Sequence, residues 1–543
     1  MTDVELDSPL QQGGRRWLAL AVPALGLAMV VLDGTIVGVS LPVIIRDLGL
    51  GFTQAQWVTS VYAVVLAALL ITAGRLGDRL GRRRILAAGV VVFVLGSLLA
   101  AAADDPSTLI WGRIVQGIGA AGVLPGTLST VNALFRGRDR VVAFAVWGSV
   151  MSAAAAVGPL LGGWLTSSFT WPWIFLINLP VGVVVLAGIV LFVPETRVRD
   201  HSRGLDVDGF LLSTAGFALL VFALIEGQTY GWWKPLREFG FFGLTWSTRA
   251  ASSPIPLLLL LAVALLVLFV LWERHRAEVE RSALLDLSLF SSPAFRWGNV
   301  TAGAVALGEF GLLFVLPLFL VNVLGLSTLA AGFVLAAMAV GALAAGIATE
   351  ALGRSLAPSL IVRIGLAIEV VAVAVTALFV TPHVSPWLLA VLLACYGVGL
   401  GLASAQLTGT VLADVPPAAS GQGAATQSTV RQVGAALGAA LVGGVLSLSL
   451  GRNLPDRLGE VPGLPDRAVD EVAAATRDSA GGAITVLRDH DGTQGVVDAL
   501  SRGFADATRV TMVVAALFLL VGFLAATRIP RDTAPAEDAG ISR

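Results

Sequence analysis

Fourteen long stretches nearly free of charge recur along this 543-residue chain. A helix needs roughly 20 apolar residues to cross a bilayer. The stretches fall at about 18–40, 57–74, 86–103, 108–130, 142–165, 173–193, 209–225, 254–272, 297–319, 327–348, 364–381, 386–412, 427–448 and 510–527. With no water in the hydrocarbon, backbone polar groups must bond within each segment, which makes helices the expected form. Clusters of Arg, Asp, Pro and Gly bound most stretches and mark their ends. Composition agrees: 56% of residues are hydrophobic and 13% charged, against about a quarter charged in soluble proteins. A disordered chain and a soluble multidomain enzyme are excluded, and with Cys395 as the only cysteine so is a disulfide scaffold. The formal net charge of −1 argues against nucleic acid as a partner. The first stretch is too long for a signal-peptide core and is followed by no small-residue cleavage site, so it is expected to stay.

Arginine placement sets the expected orientation. With the N-terminus in the cytoplasm, the inner segments hold 21 arginines, including five in the 75–84 loop, while the short outer loops hold only Arg46, Lys234, Arg237 and Arg249. Both termini are then cytoplasmic. The stretches group as six, two and six: a tail at 1–17, a bundle at 18–193, a linker at 194–295 carrying two extra spans, a second bundle at 296–527, and a tail at 528–543. The expected class is therefore an all-α integral membrane protein of two related six-helix bundles, a plan common in transporters. A weak internal echo links the loop GRLGDRLGRRR (74–84) with ALGRSLAPSLIVR (351–363). The long outer segment 449–509 reads as a solvated cap with helix-like stretches at 466–480 and 496–505.

Five charged residues fall inside spans: Asp33, Arg113, Glu309, Glu369 and Arg431. Each costs about 2.5–3.5 kcal/mol at a helix centre on insertion scales, so each is a functional candidate by default. Two readings fit Asp33: a proton-binding carboxylate, approached over Gly34 and Gly38, or a structural hydrogen bond to a facing helix. Arg113 keeps its proton and supplies a fixed positive charge, either to a titrating acid or to backbone carbonyls. Glu309, between Gly308 and Gly311, can bind a cationic substrate or a second proton, with Phe310 and Phe314 offering aromatic surface; a bond to a partner helix is the alternative. Glu369 poses the same problem without glycine neighbours. Arg431, in the first turns of its span, can snorkel to the interface. Glu226, at the end of its span beside Tyr230, Trp232 and Trp233, reads as an ordinary interfacial acid.

Several chemistries lack their motif. The sequence has no GxxxxGK[ST] for a nucleotide, no HExxH or cysteine cluster for a metal, and no GxSxG for an acyl enzyme. No cofactor and no metal are expected. Uphill movement still needs an energy source, and protons suit buried acids.

Five motifs carry a resemblance. LDGTIVGVSLP (32–42), GRLGDRLGRRR (74–84), RIVQGIGAAG (113–122), GPLLGG (158–163) and STVRQVGAALG (428–438) resemble, in order, signatures of the major facilitator superfamily. Within it they are most similar to the fourteen-span drug/proton antiporters of the EmrB/QacA type. The resemblance covers about residues 15–530. It implies that Asp33 couples protons and that Arg113, with Gln116 and Gly117 in register, tunes it. Asp78 would latch the two bundles on the cytoplasmic side, with Gly74, Gly77 and Gly81 allowing close approach and Arg82 and its neighbours meeting anionic headgroups. Gly158, Pro159, Gly162 and Gly163 would form a thin, bendable face at the bundle interface. Two departures stand out: Gly38 where the group has Asn, and Pro172 where it has Arg. The implied activity is export of small hydrophobic, often cationic compounds in exchange for protons, by rocking of two bundles in the bacterial cell membrane, with lipids and protons as the other partners. A dedicated exporter of one lipid, antibiotic or siderophore is the alternative; a sensor or scaffold gives no reason for mid-helix acids, and no enzymatic constellation is present.

Overall fold

The computed structural model describes residues 4–6, 13–135, 137–198, 206–241, 244–279, 284–353, 355–416 and 419–530. The first bundle is built from α1 (Gly13–Leu48), α2 (Phe52–Leu80), α3 (Arg82–Ala101), α4 (Pro106–Leu134), α5 (Gly137–Ser168), the short α6 (Trp173–Leu176) and α7 (Asn178–Phe192). The extra pair is α8 (Val207–Tyr230) and α9 (Pro254–Glu278). The second bundle comprises α10 (Pro293–Leu318), α11 (Thr328–Leu352), α12 (Pro358–Phe379), α13 (Pro386–Leu412), α14 (Ser420–Gly459), α15 (Asp466–Asp478), α16 (Gly482–Arg488) and α17 (Gln494–Ala526). Among the described residues twelve helices are long and apolar enough to cross a membrane. Helices α4 and α5, 29 and 32 residues long, stand beside them. Every apolar stretch expected from the sequence coincides with one of these helices.

Helix starts follow local chemistry. Pro254, Pro293, Pro358 and Pro386 each open a helix, where a missing N–H costs nothing and φ is already helical. Ser253, Ser292 and Ser327 accept hydrogen bonds from Ile255, Phe295 and Ala330, capping their helices. Pro317 lies just before a turn of π-helix at Phe319–Val323, the expected response when a proline interrupts the ladder.

In the first bundle α4 packs against α1, α2 and α3, and α1 against α5 and α7; in the second, α10 packs against α14 and α17, and α13 against α11 and α12. The bundles meet along α5 with α11, α2 with α14 and α1 with α10. Helix α8 lies against α2 and α14, outside that seam, and α9 packs on α8. The Trp57 indole donates to Glu226 at 2.8 Å and Thr53 bonds Thr229 at 3.1 Å, so Glu226 docks the extra pair onto α2. That corrects its reading as a plain interfacial acid. Glu226→Leu is expected to lower the thermal unfolding temperature modestly, by the loss of about 1.5–3 kcal/mol for a bond to a charged group; an unchanged melting curve would remove Glu226 from the docking.

The expected cap at 449–509 includes two helix extensions. Helix α14 runs 40 residues, about 60 Å at 1.5 Å per residue, and α17 runs 33. The physical reason is a row that continues through the charged stretch: Leu446, Leu450, Leu454 and Leu458 are all fully buried at a spacing of four, in one core with Leu500 and Phe504 of α17. Arg457 joins the two helices through Asp506 at 2.8 Å. Between them, α15 and α16 fold back over the second bundle. Arg488 donates to the carbonyls of Asn322 and Val323, and Asn322 donates to Ala480 at 3.0 Å. This end of the molecule is called the loop end below, and the opposite one the arginine end.

Candidate functional site

Asp33 and Arg113 are sealed inside the first bundle, 0% and 1% exposed. Arg113 Nη1 donates to Asp33 Oδ2. Gln116 Nε2 and Asn178 Nδ2 donate to Asp33 Oδ1 at 2.7 and 3.0 Å. The same two amides donate to Ser97 Oγ at 2.9 and 3.1 Å. Arg113 is further held by Val58 O at 3.2 Å, by Gln116 Oε1 at 2.8 Å, and by the Tyr62 ring, 4.3 Å from its Cζ. Tyr62 in turn donates to Val30 O at 3.1 Å. Five helices, α1, α2, α3, α4 and α7, thus converge on one carboxylate.

The spacing of α4 explains part of this. Arg113 and Gln116 lie three apart, on one face of the helix. A carboxylate accepting three donors is fully satisfied as an anion; protonated, it becomes a donor itself. Asn178 can turn its amide to accept, whereas Gln116 Oε1 is already held by Arg113 and Arg113 has no acceptor to offer. Of the three partners of Asp33, only Asn178 is therefore able to answer a change in its protonation by turning its amide.

A second group lies in the other bundle. Arg431 Nη2 stands 3.8 Å from Glu309 Oε2, with 34% and 13% of the two side chains exposed. Helix α14 starts at Ser420, so Arg431 lies three turns in, beside Glu309. Phe310 packs against a buried cluster that includes Ala63 and Val64 of α2 and Ala435 and Ala436 of α14. Phe314 is buried in the core, edge-on to Phe52 with ring centroids 5.9 Å apart. Among the described residues, neither carboxylate oxygen of Glu369, fully buried on α12, has a hydrogen-bond partner.

The GPLLGG face of α5 is shared between α1 of its own bundle and α11 of the other. A Cβ on Gly158 would collide with Thr35, and one on Gly162 would stand 2.8 Å from Ile36 O, both on α1. On Gly163 it would stand 2.7 Å from Thr328 O of α11, and Pro159 O sits against Gly332. Gly38, the departure from the family pattern, lies where α1 crosses α10 near Leu313 O. Gln56 crosses the same seam to Ala440 O at 3.1 Å. All these bundle-to-bundle contacts lie in the half of the helices toward the loop end.

The glycines of the 74–84 loop behave differently from expectation. Gly74 faces Pro125, Gly77 faces Arg82 and Ile85, and Gly81, at φ 111°, faces the Glu195 carboxylate. All these neighbours belong to the first bundle or the linker following it, so the close approach they allow is not to the second bundle. Glu195 accepts from Arg83 N at 3.2 Å and stands 3.8 Å from Arg84. The side chain of Asp78 lies outside the described residues. Gly117 lets α4 approach α2, its Cβ direction meeting Tyr62 O at 3.0 Å.

Tyr62, Ser97 and Asn178 escape a search for charges. Asn178 had a signal: it is a lone amide in the apolar run WIFLINLPVGVVV. Ser97 and Tyr62 look ordinary in sequence, since membrane helices carry both types freely.

Comparison with known proteins follows from this geometry. Residues 24–439 match the family description Major Facilitator Superfamily. The chain is 35% identical over 445 residues to the puromycin resistance protein pur8 of Streptomyces alboniger, covering 81% of this chain and 84% of that one. It is 31% identical over 514 residues to the multidrug efflux pump LfrA of Mycolicibacterium smegmatis, covering 93% and 94%. Its fold is similar to that of a solved bacterial homolog of the human lysosomal transporter Spinster, with a TM-score of 0.61 at 18% identity, over 95% of this chain and 98% of that chain.

Proposed function

The chain belongs to the major facilitator superfamily, and from that premise we propose that it exports small hydrophobic cations in exchange for protons, as a fourteen-span drug/proton antiporter. It is a multi-pass protein of the bacterial cell membrane. The observation that carries the exchange reading is the Asp33–Arg113 pair, a buried acid beside a fixed cation with Gln116 and Asn178 as its other partners. Helices α4 and α5, added to the twelve candidate spans, support the count of fourteen. An even count with an arginine-rich end puts both termini in the cytoplasm.

In that orientation the loop end faces outward and is shut, so the substrate enters from the cytoplasm. The Glu309–Arg431 pair, exposed in part through Arg431, offers the carboxylate for a cation, with Phe310 beside it in sequence as apolar surface. The names of the relatives, a puromycin resistance protein and a multidrug efflux pump, support a drug-like substrate. Rocking about the α5–α11 and α2–α14 seams would open the loop end and close the other.

The test uses the purified full chain in proteoliposomes with ethidium as probe. A lumen more acidic than the bath is expected to accumulate dye, and collapse of the gradient with nigericin to stop it. Dye movement indifferent to the gradient sinks the exchange reading. Glu309→Gln is expected to weaken ethidium transport about tenfold, the scale of one bond to a charged group, while sparing an uncharged probe such as chloramphenicol. Equal loss of both removes Glu309 from the substrate site.

A further inference from the structure

Glu369 is the one acid in the spans that the proposed exchange leaves without a task. It is 0% exposed in the middle of α12, and among the described residues both its oxygens lack a hydrogen-bond partner. Its carboxylate stem packs against Gly399 of α13, where a Cβ would stand 2.8 Å from Glu369 Cγ. Across the same helix pair Tyr396 is 1% exposed, with its hydroxyl equally unpartnered. Within electrostatic reach of Glu369 stand Glu309 of α10 and Arg431 of α14. Helix α17 also packs on α12, and its Arg509 is bound to Ala377 O and Val380 O, eight residues or about 12 Å further along the helix.

An ionised carboxylate with no hydrogen bond and no direct counter-ion is not stable in such a place; burial of a charge costs several kcal/mol unless it is paired. The carboxylic acid needs no counter-ion. Arg431 is meanwhile engaged by Glu309, which cancels the charge that would otherwise stabilise an anion at Glu369.

We propose that Glu369 is a second proton-binding site, in the second bundle, whose proton is exchanged for a cationic substrate through the Glu309–Arg431 pair. When a cation binds Glu309 it replaces Arg431 as that residue's counter-ion. The released guanidinium turns to Glu369, whose O–H bond breaks to leave a carboxylate paired with Arg431. The proton passes to water at the accessible face of the pair. One positive charge enters the bundle and one leaves, so the step is electroneutral. Reversal reloads Glu369 and expels the cation. The site rests on the exchange reading above and extends it to two protons per cycle, one on each bundle.

The measurement is infrared spectroscopy of the full chain in lipid at neutral pH, without any gradient, following the carboxylic C=O stretching band and its shift in heavy water. The band is expected in the wild type and in Asp33→Asn, and one acid's worth of it is lost in Glu369→Gln. Ethidium is expected to diminish the band in the wild type and in Asp33→Asn, and to leave it unchanged in Glu309→Gln. A band of full size in Glu369→Gln, or one indifferent to ethidium in the wild type, overturns the proposal. If Glu369→Gln does not fold, the response of Asp33→Asn to ethidium decides by itself, since Asp33 can no longer contribute to the band. A failure of gradient-driven transport bears on the exchange reading and leaves this result separate, because the band is read with no gradient present.

Discussion

Asp33→Asn is expected to reduce gradient-driven ethidium accumulation to the level of protein-free vesicles. Asparagine keeps the size of the side chain and one acceptor for Gln116 and Asn178, but it cannot carry a proton or balance Arg113. The same substitution leaves a guanidinium that is 1% exposed without its counter-ion, and breaking a buried pair from one side costs about 3–5 kcal/mol. A lowered melting temperature is therefore expected alongside the loss of transport. The double replacement Asp33→Leu with Arg113→Met separates the two effects. Removing both charges is often neutral or stabilising, so it should regain stability and remain inactive. A double variant that pumps ethidium down to the same gradient as the wild type would show that the pair is structural. A single variant that is unstable but still gradient-driven would say the same.

Gly163→Val is expected to cut transport at least tenfold while leaving both bundles folded. The added Cβ would stand 2.7 Å from Thr328 O and 3.0 Å from Leu329 Cα. Both are backbone atoms, which cannot step aside as a side-chain tip can. Overpacking of this kind costs about 1–3 kcal/mol, and here the cost falls on the seam between bundles. It is thus charged against the arrangement closed at the loop end, roughly 5- to 150-fold in its population. Spin labels at the loop ends of α5 and α11 should move apart in the variant. Gly346→Ala, on the same α11 and facing open space, should change neither distance nor rate. Full activity and unchanged distances in Gly163→Val would mean that this face does not gate the molecule.

The residues differ in how readily their sequence context reveals their place. Asp33, Arg113 and Glu309 were legible because a charge in an apolar run is costly wherever it ends up. Gln116 and Gly117 were legible only through a resemblance, since an amide or a glycine in a membrane helix is ordinary. Asn178 and Ser97 complete the acid's shell from α7 and α3, far away in sequence, and nothing local marks them as neighbours of Asp33. The helical nature of 449–459 was hidden by its charges, although the leucine row at 446, 450, 454 and 458 runs straight through them. Arg431 illustrates the limit of reading ends from composition: α14 begins at Ser420, seven residues before the apolar stretch does.

What the sequence by itself determined is the solvent and the spans. Apolar length fixes how many helices lipid can hold, and arginine bias favours one orientation, because both are sums over one segment at a time. Partnership was decided only by the tertiary structure. Whether a buried acid faces three donors, like Asp33, one distant arginine, like Glu309, or none, like Glu369, depends on the rotation of several helices against one another. Each contact joins residues up to 145 positions apart, and a difference of one residue in helix phase turns a side chain by about 100°. Local sequence carries no record of that phase between helices; packing of small residues at the crossings sets it.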